Sequence, residues 1–88
     1  MAVLIRHTSA MGAEAYDEVS PPLLADLKKQ PGFVLHVAYM NQGELVVGEV
    51  WESQAQHDKW FNETVAPNLP PDLHIRQEVI ELHNVVKP

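Results

Sequence analysis

The chain has 88 residues, of which 45% are hydrophobic, and this length and composition suit a single folded domain over residues 1–88. Twelve acidic against six basic side chains give a formal charge of −6, which argues against a nucleic-acid or anionic-membrane partner. Cysteine is absent, so disulfides, thiolate metal sites and cysteine nucleophiles are excluded. No apolar run approaches the length of a membrane helix or a signal peptide, and a cytoplasmic setting is expected.

The N-terminal third of the chain predicts a strand followed by helical structure. Residues 2–8 are β-branched and apolar, which is typical of a strand. The next segment is helical in composition, but Pro21 and Pro22 interrupt it. Because proline lacks a backbone donor and clashes with the preceding turn, we expect two short helices, at about residues 13–19 and 21–30.

A hairpin and a second helix follow. The segments 33–41 and 44–52 predict two strands, and the Gln42-Gly43 pair between them is typical of a tight hairpin turn. Ser53 with a glutamine three residues later fits a capping box. We therefore expect a helix that starts after Ser53 and runs to about Val65.

The last element predicted is a strand over residues 73–86, in one piece or with a break. A proline-rich loop over residues 66–71 separates it from the second helix. The resulting order, β-α-β-β-α-β, is the ferredoxin-like arrangement of an α+β fold. In this arrangement both helices cover one face of an antiparallel sheet.

Both faces of the predicted hairpin strands are mostly apolar. Strict alternation along residues 33–41 gives one face with Phe33, Leu35, Val37 and Tyr39, and another with Val34, His36, Ala38 and Met40. An antiparallel sheet with one face in water alternates apolar with polar side chains, and two helices cover only one face. We therefore expect a homodimer in which two chains pack sheet against sheet.

Three local sequences carry a family resemblance. They are Pro31-Gly32-Phe33 before a strand, Val50-Trp51-Glu52-Ser53 at a strand-to-helix junction, and Val65-Ala66-Pro67-Asn68-Leu69. With these sequences the chain resembles, over nearly its whole length, the antibiotic-biosynthesis-monooxygenase group of the dimeric α/β-barrel superfamily. Small bacterial members of unassigned activity share Tyr16-Asp17, the Pro-Gly-x-x-x-His spacing and His83-Asn84.

The resemblance implies two enzymatic activities. One branch of the group oxidises polycyclic aromatic or quinol substrates with molecular oxygen and without a cofactor, and another branch degrades haem. Haem-degrading members use an asparagine on a strand, a tryptophan on a helix and a histidine ten residues after that tryptophan. Trp60 matches the tryptophan, but Pro70 occupies the histidine position and the first predicted strand has no asparagine. The resemblance therefore favours the branch that works without a cofactor.

Two histidines are candidate catalytic bases. His36 lies between apolar neighbours in a predicted strand, so its imidazole is expected to be largely buried and to need a hydrogen-bond partner. It is either a core or interface histidine, or a base in a ligand pocket. His57 shares a helical stripe with Trp60 and Phe61, which is either core packing or a setting for a flat aromatic ligand. The resemblance places ligands between the helices and the sheet.

Other side chains are candidates for lining the same pocket. Trp51, at a strand end, is either a packing anchor or a pocket wall, and Tyr16 is a candidate hydrogen-bond donor or a surface residue. His7 alternates with apolar residues of the first strand and shares their face, and His83 shares a face of the last strand with Glu81. Glu49 gains significance only if it points inward beside Trp51, where burial would raise the pKa of its carboxyl.

Three functions are compatible with these observations. The first is a monooxygenase-like enzyme that acts without a cofactor on a small aromatic or quinone compound, with His36 or His57 as general base. The second is a non-catalytic module that binds a small aromatic molecule in the same pocket. The third is a structural dimer with a filled core. No metal-ligand spacing, hydrolase triad or phosphate-binding loop is present, and no metal or cofactor is expected.

Overall fold

Four strands and two helices follow one another in the predicted β-α-β-β-α-β order. The structure, a computed structural model, describes residues 1–88. Its elements are β1 (Val3–Ser9), α1 (Ala13–Leu27), β2 (Phe33–Asn41), β3 (Glu44–Trp51), α2 (Gln54–Trp60) and β4 (Ile75–Glu81). The strands form one antiparallel sheet in the order β2-β3-β1-β4. The α+β ferredoxin-like fold predicted from the sequence is confirmed.

The first helix is continuous, so the expectation of two short helices is wrong. Helix α1 contains Pro21 and Pro22 in its interior. These prolines cannot donate to the carbonyls four residues earlier, which belong to Asp17 and Glu18. Both of those residues are exposed, and water can therefore take the place of the missing donors. Neither α1 nor α2 is long and apolar enough to cross a membrane.

The turn and cap predicted for the second half of the chain are both present. Gln42 and Gly43 have φ of 52° and 81°, the left-handed pair that a two-residue hairpin turn requires. Ser53 caps α2, and its hydroxyl accepts a hydrogen bond from the backbone N–H of Gln56 at 3.3 Å. Helix α2 then continues through a wider π-helical turn over Phe61–Val65 and ends in a short 3-10 turn at Ala66–Asn68.

A bulge near the start of β2 changes which residues share a face. The register of β2 against β3 shifts between Phe33 and Leu35. Phe33 therefore pairs with Trp51 and His36 pairs with Glu49, so both β2 residues lie on the helix-covered face. Strict alternation had placed Phe33 on the face opposite His36, and the extra residue of the bulge removes that separation.

The two faces of the sheet differ in how they are covered. Beneath the helices, Val3, Ile5, Leu27, Trp51 and Trp60 form the hydrophobic core. On the opposite face no helix packs, and Leu35, Val37 and Tyr39 of β2 are each more than 40% exposed. Ile80 of β4 is also partly exposed on that face. The sheet thus presents an apolar surface to solvent on its open side.

Candidate active site

A cavity of about 90 Å³ lies between the helices and the sheet. Most of its lining is apolar and comes from α1, the π-helical turn and the loop before β4. Polar side chains from the sheet and α1 also face it, including His7, Tyr16, His36 and Glu49. A single water needs roughly 10–15 Å³ of such space, so the cavity has room for several waters or a small organic molecule.

Four side chains form a continuous hydrogen-bonded chain at one side of the cavity. The Tyr16 hydroxyl lies 2.7 Å from His36 Nε2, and His36 Nδ1 lies 2.7 Å from Glu49 Oε2. The indole N–H of Trp51 donates to the other carboxylate oxygen of Glu49 at 3.0 Å. We call Tyr16, His36, Glu49 and Trp51 the relay.

The direction of each hydrogen bond in the relay follows from the chemistry of Glu49. Glu49 is buried, and as a carboxylate it only accepts hydrogen bonds. His36 Nδ1 must therefore carry the hydrogen that is donated to Glu49. In a neutral imidazole this leaves Nε2 as an acceptor, and Tyr16 donates its hydroxyl hydrogen to it. The relay thus aims the basic nitrogen of His36 at the hydroxyl that faces the cavity.

The register of the hairpin explains why these residues meet. Glu49 and His36 are direct cross-strand partners on the helix-covered face. Trp51 follows Glu49 by two residues and so shares its face. Tyr16 approaches from α1 and stacks its ring nearly parallel to His36, with an interplanar angle of 9°. The sheet therefore supplies three members of the relay, and the helix supplies the fourth.

Electrostatics keeps the outer end of the relay protonated. Burial raises the pKa of Tyr16 above its usual value of 10.0, a hydrogen bond from Ser20 offsets part of this, and the negative charge of Glu49 adds to the rise. The Tyr16 phenol is consequently a donor at neutral pH. It therefore passes a proton on only if it receives another from a bound molecule.

A second group of rings lies near the other side of the cavity. His7 Nε2 is 3.0 Å from Gln77 Oε1, and its ring contacts Phe61 edge to face at 4.5 Å between centroids. His57 lies behind it at 5.2 Å, with Nδ1 bonded to Asp58 and Nε2 buried without a partner. Burial, followed by the nearby His57, lowers the pKa of His7 below its usual value of 6.5.

The structure brings together most of the residues singled out from the sequence. His7, Tyr16, His36, Trp60 and Phe61 line the cavity. His57 and Trp51 are fully buried beside it and do not line it. His83 follows β4, is exposed and lies outside the cavity. No group of three or more histidines and carboxylates is arranged to hold a metal ion.

Two contacts escaped the sequence analysis. The pairing of His36 with Glu49 had a signal, because counting six residues outward from Gln42 and from Gly43 brings these two side chains opposite each other. The hydrogen bond from Tyr16 to His36 had none, because it depends on how α1 docks on the sheet.

Solved structures share this fold. SnoaB, a cofactor-independent oxygenase from Streptomyces nogalater, superposes with a TM-score of 0.70 at 17% identity, over 99% of this chain and 97% of its own. A candidate antibiotic biosynthesis monooxygenase from Deinococcus radiodurans gives a TM-score of 0.74 at 11% identity, over 98% and 97%.

A haem-degrading protein from Mycobacterium tuberculosis, Rv3592, gives a TM-score of 0.64 at 17% identity, over 99% of this chain and 100% of its own. No family model matches the sequence, and no curated protein matches it either. The resemblance to the antibiotic-biosynthesis-monooxygenase group is thus confirmed in the fold. At these identities the likeness concerns the fold alone.

Proposed function

We propose that this protein is a cofactor-independent monooxygenase-like enzyme that oxidises a small aromatic compound bearing an ionisable hydroxyl. The observation that carries the proposal is the relay, which directs a basic imidazole nitrogen at the Tyr16 hydroxyl that faces an apolar cavity. A lone pocket histidine has no fixed tautomer, whereas the carboxylate of Glu49 fixes that of His36. Orientation of this kind is what general base catalysis requires.

The first step of the proposed mechanism is loss of the substrate proton. A hydroxyl in the cavity donates to the Tyr16 oxygen while Tyr16 passes its own hydrogen to His36 Nε2. The resulting imidazolium is stabilised by Glu49. The apolar walls exclude water from the phenolate, which is then electron-rich enough to react with molecular oxygen.

The overall reaction needs no external electron donor. With 1-naphthol as substrate, one molecule of oxygen is consumed. One oxygen atom forms the new carbonyl of 1,4-naphthoquinone, and the other leaves as water with two hydrogens from the naphthol. The protein's part is to bind, to deprotonate and to keep the ring dry. The oxygenase named among the solved structures of this fold supports the same class of reaction.

Haem degradation has less support from the site. The imidazole of His36 has both ring nitrogens engaged, Nδ1 with Glu49 and Nε2 with Tyr16, so it offers no free lone pair to iron. His57 is enclosed by neighbouring rings, and Pro70 stands ten residues after Trp60. The residues that the haem-degrading branch uses are therefore missing, apart from Trp60, and we route no step through haem.

The test measures oxygen uptake and quinone formation with 1-naphthol. We expect turnover by the wild type with a one-to-one ratio of oxygen to quinone. His36→Phe should lower the rate roughly 10²- to 10⁴-fold, the usual worth of a general base. The matched control is His74→Gln, at an exposed histidine outside the cavity, which should keep full activity.

One result would contradict the proposed activity, and another would contradict the role of His36. If 1-naphthol binds to the wild type but no oxygen is consumed, the protein is a binding module for small aromatic molecules. If His36→Phe turns over at the wild-type rate, the assignment of the base is wrong. Because His36 is not part of the hydrophobic core, the variant should fold, and its circular dichroism spectrum checks this.

We also propose that a second copy of the chain covers the open face of the sheet. The apolar side chains exposed there include Leu35, Val37 and Tyr39 in one strand, and no helix packs over them. The charged residues of this face include two ion pairs, Arg6 with Glu78 and Arg76 with Glu44, and these pairs add no net charge to the interface.

Sedimentation equilibrium tests this assembly. The wild type should sediment as a dimer at micromolar concentration, and Val37→Lys should shift it to monomer because it places a charge in the apolar face. Ala25→Lys, on the exposed side of α1, is the matched control and should remain dimeric. A monomeric wild type would contradict the proposal.

A further inference from the structure

The cavity has a second imidazole that the relay does not use. His7 lies on β1, whereas His36 lies on β2, and β3 runs between them. Two strand spacings and a two-residue offset along β3 place the two Cα atoms about 12 Å apart. Both side chains line the cavity from the same face of the sheet, so they can contact a bound molecule at two separate points.

The hydrogen bond to Gln77 determines the tautomer of His7. The amide oxygen of Gln77 only accepts, so His7 Nε2 carries the hydrogen of this 3.0 Å bond. In the neutral ring Nδ1 is then a bare acceptor, and the structure gives it no hydrogen-bond partner. An unpartnered acceptor beside an apolar cavity accepts a hydrogen bond from any donor that a ligand places there.

The surroundings of His7 keep the ring neutral. Burial, followed by the nearby His57, opposes protonation, whereas the hydrogen bond to Gln77 and the carboxylates of Glu49 and Asp58 favour it more weakly. The pKa of His7 accordingly falls below its ordinary value. At neutral pH Nδ1 therefore remains an acceptor and does not become a second donor.

We propose that His7 is a specificity-determining residue that selects ligands with a hydroxyl at the end opposite the ionising one. A hydroxyl there donates to His7 Nδ1, whereas a carbonyl or ether oxygen would face a lone pair with its own lone pairs. The inference rests on the proposed function only in taking an ionisable hydroxyl as the group bound at the relay. His7 thus provides a second polar contact for the ligand, and it accepts the hydrogen bond there.

The test compares two naphthols by isothermal titration calorimetry without oxygen, so that no turnover intervenes. 1,5-Dihydroxynaphthalene presents a donor at the far end, and 5-methoxy-1-naphthol presents only an acceptor. The wild type should bind the first about tenfold more tightly, since one hydrogen bond in a desolvated site is worth roughly that factor.

Variants of two residues test the cause of this preference. His7→Phe should reduce the ratio of affinities to about one, because the dihydroxy compound loses its hydrogen bond and the methoxy compound no longer faces the lone pair of Nδ1. Gln77→Leu should reduce the ratio as well, because the imidazole is then free to present its N–H to the cavity. Gln77 is exposed on β4, so this variant keeps the test available if His7→Phe does not fold.

The result that overturns the inference is a ratio that His7→Phe does not change, a wild-type preference for the methoxy compound, or failure of both compounds to bind. His36→Phe separates this inference from the proposed function. It should weaken the binding of both compounds and preserve their ratio. A protein that selects the dihydroxy compound through His7 but never consumes oxygen would refute the proposed function and leave the inference standing.

Discussion

Glu49→Gln is the substitution that isolates the tautomer of His36 from the rest of the relay. The change keeps the shape of the side chain but replaces one accepting oxygen by an NH2 group. Glu49 accepts two hydrogen bonds, from His36 Nδ1 at 2.7 Å and from Trp51 at 3.0 Å. The amide has only one oxygen, and the indole N–H of Trp51 can only donate, so Trp51 keeps it. The NH2 group then faces His36.

The imidazole can avoid a clash of two donors by moving its hydrogen. In the variant, His36 Nδ1 accepts from the amide and Nε2 carries the hydrogen, so the ring no longer offers a base to Tyr16. We expect oxygen uptake to fall roughly 10²- to 10⁴-fold. Hydrogen bonds to a charged group are worth roughly 1.5–3 kcal/mol and neutral ones about 1 kcal/mol, and removing the buried charge returns part of the difference. The free energy of unfolding should therefore fall by only about 1–2 kcal/mol.

Three measurements on this variant test whether Glu49 sets the tautomer of His36. Nitrogen-15 spectra of the histidine rings report the tautomer, urea unfolding reports stability, and the 1-naphthol assay reports turnover. Glu52→Gln is the matched control, since Glu52 is exposed and its side chain makes no hydrogen bond in the structure. If Glu49→Gln keeps both the Nδ1–H tautomer and full turnover, then Glu49 does not position His36 and the reasoning fails.

Three further outcomes follow from single residues. The pKa of His7 is lowered on folding, so the unfolded chain binds the proton more readily and stability should fall as pH drops below about 6.5; His7→Phe should lessen that loss in thermal melts. The pKa of Tyr16 is raised, so stability should fall as pH rises above 10.0, and Tyr16→Phe should reduce the slope in the same melts. Gly43→Ala should lower the free energy of unfolding by roughly 1 kcal/mol, and the urea midpoint with it, because φ at this position is 81°. An unchanged midpoint would contradict the turn assignment.

The fold could be predicted from local signals because its elements are punctuated by residues with specific backbone preferences. The Gln42-Gly43 turn marks the boundary between β2 and β3, and the Ser53 cap marks the start of α2. Both signals depend only on residues that are close in the sequence. The proline pair misled the prediction of α1, since the cost of proline inside a helix depends on whether water reaches the freed carbonyls. That condition is set by burial, which the local sequence does not reveal.

In the candidate site, too, contacts within one hairpin could be predicted and contacts between distant elements could not. The contact of His36 with Glu49 lies within one hairpin, and turn length alone determines it. The bulge beside Phe33 gave no comparable signal, yet it leaves the pairing from His36 onward intact because the register is counted from the turn. Tyr16 and Gln77 reach their histidines from α1 and from an edge strand far along the chain. Within-hairpin register thus orients His36, whereas the packing of distant elements determines which side chains hydrogen-bond to His36 and His7.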